Sequence, residues 1–246
     1  MNFLTSLFWG VNSPGFFQGI QHAINNAAQE GIFAADNIFT IGRNLGFLED
    51  KAFMAARQKH AQTNIEQGIV WRHYVLAWVA KSVLSRKVPG DFVECACYKG
   101  TSARIICDYV DFSNSGKNYY LYDLFEHDKS MAHHAMPEHG ANLFDIVKGR
   151  FSGFPNVKIT RGFVPQVLDE VCPETISFLH IDLNSAPAEI GALERLFDRL
   201  SPGGILILDD YGWRAYRPQK LAEDPWLAAR GYQVLELPTG QGLVIK

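Results

Sequence analysis

Residues 176–210 read ISFLHIDLNSAPAEIGALERLFDRLSPGGILILDD. The opening ISFLHI is a short apolar run of strand composition that stops at Asp182. Residues 188–200 then place apolar side chains at three- and four-residue spacing, the period of an amphipathic helix. Pro202-Gly203-Gly204 breaks that helix, and ILIL at 205–208 forms a second apolar run ending in Asp209-Asp210. Strand, helix and strand in this order make a crossover unit, which places the two strands parallel in one sheet with the helix on its face.

The same alternation extends outward. Residues 91–96 (DFVECA) predict a strand and 101–110 a helix. NYYLY at 118–122 predicts a second strand ending at Asp123, 157–160 a third, and a helix starts over 166–170. Beyond the quoted stretch, 232–237 and 243–246 flank Thr239-Gly240-Gln241-Gly242 and read as a hairpin that adds antiparallel strands. The fold class is therefore α/β, a doubly wound, mostly parallel seven-stranded sheet of Rossmann-like form. Residues 1–88 differ in pattern, with helical segments over 18–29, 49–60 and 64–85, and Val88-Pro89-Gly90 ends the last of them. We read 1–88 as an N-terminal helical extension and 89–246 as the sheet domain.

Composition narrows the function classes. Apolar residues make up 47% of the 246 and charged residues 20%, which excludes wholesale disorder. Lys and Arg number 23 against 26 Asp and Glu, so the basic footprint of a general nucleic-acid binder is missing. Four cysteines (Cys95, Cys97, Cys107, Cys172) without a CxxC pair argue against a zinc ribbon or a disulfide framework, and suggest a reducing compartment. No run approaches the roughly 18 apolar residues of a membrane helix. The apolar start, FLTSLFWGV, has no basic residue before it, the first being Arg43. A cytoplasmic enzyme with no nucleic-acid or membrane partner is the expectation. Residues 1–42 hold six Phe and one Trp but no Lys or Arg. They are expected to cover the active-site mouth or to join copies of the chain into a homo-oligomer, the alternative being that they fold back on their own domain.

In an open parallel sheet, ligands bind at the carboxyl ends of the strands. Acids stand at four of those ends: Glu94, Asp123, Asp182 and the pair Asp209-Asp210. Any one of them could cap a helix, but the set points to a site. The first turn, Glu94-Cys-Ala-Cys-Tyr-Lys-Gly100-Thr-Ser102, has one glycine rather than GxGxxG. Its helix start could receive a carboxylate, with Ser102 supplementing the backbone donors. His127, His133, His134 and His139 lie in a stretch with Met131, Met136 and Pro137 that reads as a lid loop, and one of them, His127 for instance, is a candidate general base. His180 precedes Asp182 by two strand positions and shares its face, where it could orient a metal ligand or simply pack.

VPGDFVECACYKGTSARI, YLYDLFEH, the long run from LHIDLNS to LILDDYG and the closing LPTGQGLVIK together resemble the class I S-adenosylmethionine-dependent methyltransferases, and among them the macrocin O-methyltransferase family. The resemblance covers about 88–246. It implies a small-molecule hydroxyl as acceptor, on a sugar or another vicinal diol. It places Glu94, Ala96, Tyr98, Gly100 and Ser102 around the methionine end of S-adenosyl-L-methionine, Asp123 on the ribose, and Gly162 and Phe163 near the adenine. Asp182, close to the cofactor as well, joins Asp209 and Asp210 at the positions that hold a divalent metal, usually Mg2+. Such an ion would grip two acceptor oxygens and lower the pKa of the attacking hydroxyl. Asp182, a lid histidine or a water would take the proton. Two departures stand out: Ala96 replaces a customary glycine, and Asn184 and Ala186 replace a second Asp and a Tyr. Two rival readings keep the same sheet: a nicotinamide-dependent oxidoreductase, which lacks its three-glycine fingerprint here, and a catalytically silent binding protein, against which the retained acids argue.

Overall fold

The computed structural model describes residues 1–26, 30–128, 131 and 135–246. The chain divides into two compact units, Met1–Val75 and Leu76–Lys246. That boundary lies upstream of the change in sequence pattern, because it cuts within the helix Val70–Ser85 rather than after it.

In the first unit, β1 (Phe3–Leu4), β2 (Phe33–Ala35) and β3 (Ile38–Thr40) form a small sheet, so this region is not purely helical. Asp36 and Asn37, at φ 51° and 59°, make the two-residue turn between β2 and β3. Both left-handed positions suit a hairpin turn whose twist matches its strands, and short polar side chains tolerate them. The buried Asp36 carboxylate accepts from Arg72 Nε at 2.7 Å, Arg72 Nη2 at 3.0 Å and Trp9 Nε1 at 2.8 Å. Phe33, Phe47, Trp71 and Tyr74 pack on one another in tilted and edge-to-face contacts. Helix α1 (Pro14–Asn26) buries no residue, whereas α2 (Lys51–His60) starts on the Asp50 side chain, which caps Phe53 N. The single helix expected over 64–85 is two, α3 (Asn64–Gly68) and α4 (Val70–Ser85). α3 is closed at its start by a Thr63–Glu66 capping box.

The second unit is a seven-stranded sheet in the order β6-β5-β4-β7-β8-β10-β9. Its strands are β4 (Asp91–Cys95), β5 (Tyr119–Asp123), β6 (Val157–Arg161), β7 (Ile176–Ile181), β8 (Leu200–Leu208), β9 (Leu235–Glu236) and β10 (Gly242–Ile245). The first five are parallel, and the closing hairpin joins antiparallel to β8. Every residue of β5 and β7 is buried, the pattern of strands covered on both faces. The helices are α5 (Thr101–Tyr109), α6 (Leu143–Arg150), α7 (Ala186–Leu196) and α8 (Arg217–Ala228). Residues 166–169 form only a 3-10 turn, and Pro202-Gly203-Gly204 lies inside β8 rather than before it. Among the described residues no helix is long and apolar enough to cross a membrane.

The entry to β4 depends on Gly90. Its φ is +107°, and a Cβ there would lie 2.6–2.7 Å from backbone atoms of Thr175 and Ile176, which a strand pair cannot move. Gly90→Ala should therefore cost about 2–4 kcal/mol through backbone strain and overpacking. A lowered urea midpoint with an unchanged slope checks this; a variant as stable as the parent would contradict the tight β4–β7 junction.

Candidate functional site

The parallel register brings one buried polar chain across the sheet centre. Glu94 and His180 are direct cross-strand partners on β4 and β7. His180 Nδ1 lies 3.2 Å from Glu94 Oε1, and His180 Nε2 lies 3.4 Å from Asp209 Oδ1 just past β8. Tyr119 donates its hydroxyl to Glu94 Oε2 at 3.1 Å, and the fully buried Gln241 donates Nε2 to Asp209 Oδ1 at 2.7 Å. Burial alone would lower the His180 pKa, but the bonds to Asp209 and Glu94 and their charges outweigh it and raise it to about 10. His180 is thus an imidazolium that holds two carboxylates. Gln241 is the partner that sequence reasoning missed; its signal was the buried polar pair in Thr239-Gly-Gln241 of the hairpin turn, where Thr239 Oγ1 donates to Gln241 Oε1 at 3.0 Å.

Above this chain, at the carboxyl ends of the strands, lies a cavity of about 330 Å³, within the range of small-molecule sites. Ala96, Tyr98, Asp123, Gly162, Phe163 and Asp182 of the sequence-derived set line it. Glu94, Gly100, Ser102, His180 and His127 are not among its lining residues. Glu94 and His180 are spent on each other inside the sheet. Gly100 caps α5 at φ +69° with Phe151 above it, and this packing seats the helix start. His127 stacks on His139, which does line the cavity with Met131 and Met136. His133 and His134 lie outside the described residues.

The turn from β4 into α5 is shaped by left-handed residues: Ala96 at φ 66°, Tyr98 at 49° and Gly100 at 69°. This conformation costs a non-glycine residue about 1–2 kcal/mol, which accounts for the customary glycine at position 96. It turns Tyr98 N toward Asp123 Oδ2 at 2.6 Å, while Phe125 N reaches Oδ1 at 2.5 Å. Each Asp123 oxygen therefore has one backbone donor and lone pairs to spare. Burial raises the Asp123 pKa to about 6, against the opposing pull of the Phe125 N–H and of His139. Glu138 accepts from Lys99 Nζ at 2.8 Å and from the Tyr98 hydroxyl, tying residues 135–140 to the same turn.

Asp182, Asp209 and His180 each offer an atom within 4.8 Å of the others; Asp210 does not join this group. With His180 protonated, the atoms suited to a metal are carboxylate oxygens, the donor type of a hard cation. Asn184, at φ 55°, points its Nδ2 at Asp182 Oδ1, 3.5 Å away, from a loop whose Leu183 N bonds Glu189 Oε1 at 3.2 Å. A carboxamide carries no titratable proton, so residue 184 cannot act as a base.

Comparison with known proteins bears on the fold and the family. A relative from Streptomyces olivaceus, 8-demethyl-8-(2,3-dimethoxy-alpha-L-rhamnosyl)-tetracenomycin-C 4'-O-methyltransferase, is 26% identical over 161 residues, covering 58% of this chain and 60% of the relative. The chain thus spans less than two thirds of the curated relative that it matches. Among solved structures, the O-methyltransferase NovP superimposes with a TM-score of 0.61 at 18% identity, over 72% of this chain and 80% of its own. Apo CalS11, a TDP-rhamnose 3'-O-methyltransferase, gives 0.56 at 15% identity over 96% of each chain. The SAH-bound Podospora anserina methyltransferase PaMTH1 gives 0.53 at 14%, over 98% and 99%. These structural likenesses establish the Rossmann-like fold. The family model for macrocin O-methyltransferase (TylF) matches residues 70–224, and the chain belongs to that family.

Proposed function

We propose that this protein is an S-adenosylmethionine-dependent O-methyltransferase acting on a hydroxyl of a small natural product, on a sugar or another vicinal diol. The observation that carries the reading is the Asp123 carboxylate, fixed by two backbone N–H groups at the mouth of β5 and facing the cavity. A carboxylate so held accepts both hydroxyls of a ribose. Gly162 and Phe163 sit beside it, where a flat apolar adenine would pack, and Ala96, Tyr98 and Asp182 line the path toward the methionine end. The rhamnose substrates named for two similar enzymes favour a sugar hydroxyl as acceptor.

Asp182 and Asp209, with Asp210 beside them, would hold a divalent cation such as Mg2+. When bound it would supply Lewis acidity toward the acceptor hydroxyl. This chain's own part is orientation and proton removal. His180 fixes the Asp209 carboxylate from below. His139 Nδ1 is already engaged by Met136 N at 3.1 Å, which turns that nitrogen away from the acceptor. Asn184 carries no titratable proton, which leaves the Asp182 carboxylate to accept the proton of the hydroxyl. Holding that oxygen in line with the sulfonium methyl supplies much of the rate enhancement. The exposed aromatics of the 1–42 segment, Trp9, Phe16 and Phe39, are assigned to contacts between copies of the chain.

Four outcomes test this reading. Calorimetry should show S-adenosylhomocysteine binding that weakens as pH falls from 7 to 5 and drops at least tenfold in Asp123→Asn; equal binding by the variant would displace the cofactor from Asp123. The free protein gives the matching sign. Asp123 has its folded pKa raised from 3.8 to about 6, so its contribution to stability is present below pH 4 and is lost as pH rises through 6, by about 3 kcal/mol relative to Asp123→Asn. Next, methylation of an L-rhamnosyl glycoside should require Mg2+ and fall at least a hundredfold in Asp209→Asn; full activity in chelator would rule the metal out. Finally, light scattering should give a dimer or larger that becomes monomeric on deletion of residues 1–42, and a monomer in both forms would refute that assignment.

A further inference from the structure

Helices α7 and α8 bury three oxygen-bearing side chains against one another. Glu189 and Gln219 are each 3% exposed and Glu223 is fully buried. Gln219 and Glu223 stand four residues apart on α8 and share a face of it. Gln219 Nε2 donates to Glu189 Oε1, which also accepts from Leu183 N at 3.2 Å. The Glu189 and Glu223 carboxyls meet at hydrogen-bonding range, and burial pushes both above the usual carboxylate range. The field around them adds to this. Asp182 and Asp210 act on Glu189, and Asp224 acts on Glu223. Lys220 opposes them, but its ammonium is paired with Glu236 at 2.6 Å and lies over the Tyr211 ring.

The oxygens decide what belongs there. Among the described residues, Glu223 Oε1, Glu223 Oε2 and Gln219 Oε1 are all buried without a donor. Turning the Gln219 amide over would take the donor away from Glu189 and set the amide oxygen against that carboxylate instead. A proton shared by the two acids serves one of the three oxygens and leaves two buried acceptors unsatisfied. A cation between the helices serves all three and neutralises both carboxylates.

We propose that Glu189, Gln219 and Glu223 form a second cation site, separate from the Asp182–Asp209 pair, that takes a hard divalent ion and prefers Ca2+ to Mg2+. The donors are oxygens only, and neither Glu223 oxygen is taken up by a donor among the described residues. Two-oxygen carboxylate ligation is common for Ca2+ and unsuited to the near-octahedral shell of Mg2+. Through the bond from Leu183 N to Glu189, the ion would brace the 182–185 loop that walls the cavity. The site is independent of methyl transfer, so its test needs no acceptor substrate.

The experiment is calorimetric titration of Ca2+ into the full chain after chelator treatment, in an Asp182→Asn/Asp209→Asn background that disables the other site. One Ca2+ should bind per chain and raise the melting temperature, as linkage requires. Adding Glu223→Gln should weaken binding at least tenfold, and Mg2+ should bind more weakly than Ca2+ throughout. Absence of Ca2+ binding in the background protein, or binding untouched by Glu223→Gln, overturns the proposal. An infrared band of a buried protonated carboxyl that persists in saturating Ca2+ and vanishes with Glu223→Gln also overturns it, in favour of a shared proton. Should Glu223→Gln fail to fold, Gln219→Leu, which keeps both acids, decides: weakened binding supports the site and unchanged affinity refutes it.

Discussion

The buried imidazolium of His180 joins three neighbouring strands, β4, β7 and β8, through the carboxylates of Glu94 and Asp209. Its energetics are those of an internal ion network. Each charge costs several kcal/mol to desolvate, and only full pairing offsets that cost. Full pairing is what the surroundings provide, with Tyr119 on Glu94 and Gln241 on Asp209. Loss of either acid would leave a buried cation with a single partner, and loss of the histidine would leave two carboxylates facing across the sheet. The network fixes the register at the sheet centre, and the register sets where the strand-end acids stand.

From that constraint the cavity follows. β5 ends beside β4, so the left-handed turn after Cys95 delivers the Tyr98 N–H to Asp123. β8 ends beside β7, so Asp209 comes within reach of Asp182. A loop-borne site would have to order these carboxylates at binding; here the strands order them in advance, which is the advantage of a rigid scaffold. Glu138, bonded to Tyr98 and Lys99, stands between Met136 and His139, two residues of the cavity wall.

The sheet was legible in the sequence because each buried strand is a short apolar run ended by an acid, and because helical spacing between such runs implies parallel crossovers. The acids at 123, 182 and 209 were legible for the same reason. Glu94 looks like the others in the sequence, but it lies one residue inside β4 and faces His180 across the register, so it holds the sheet together instead of lining the cavity. Ala96 and Tyr98 owe their place to backbone conformation, which residue type does not announce. The β2–β3 hairpin escaped notice although its signal, Asp36-Asn37 between two apolar triplets, is plain once left-handed Asp and Asn are considered. The break at Ile69 carries no proline; there, Gly68 packs against Leu7, where a Cβ would come within 2.3 Å. That is a tertiary cause, invisible to local pattern.

The central claim is that the acidic strand ends of one parallel sheet form a cofactor site with Asp123 at its ribose. A crystal structure of the chain with S-adenosylhomocysteine tests it most directly. Both ribose hydroxyls should lie on the Asp123 carboxylate, with the adenine beside Gly162 and Phe163 and the homocysteine sulfur directed toward Asp182. Density for the ligand anywhere else, or in this cavity with Asp123 out of hydrogen-bonding range of the ribose, would contradict it.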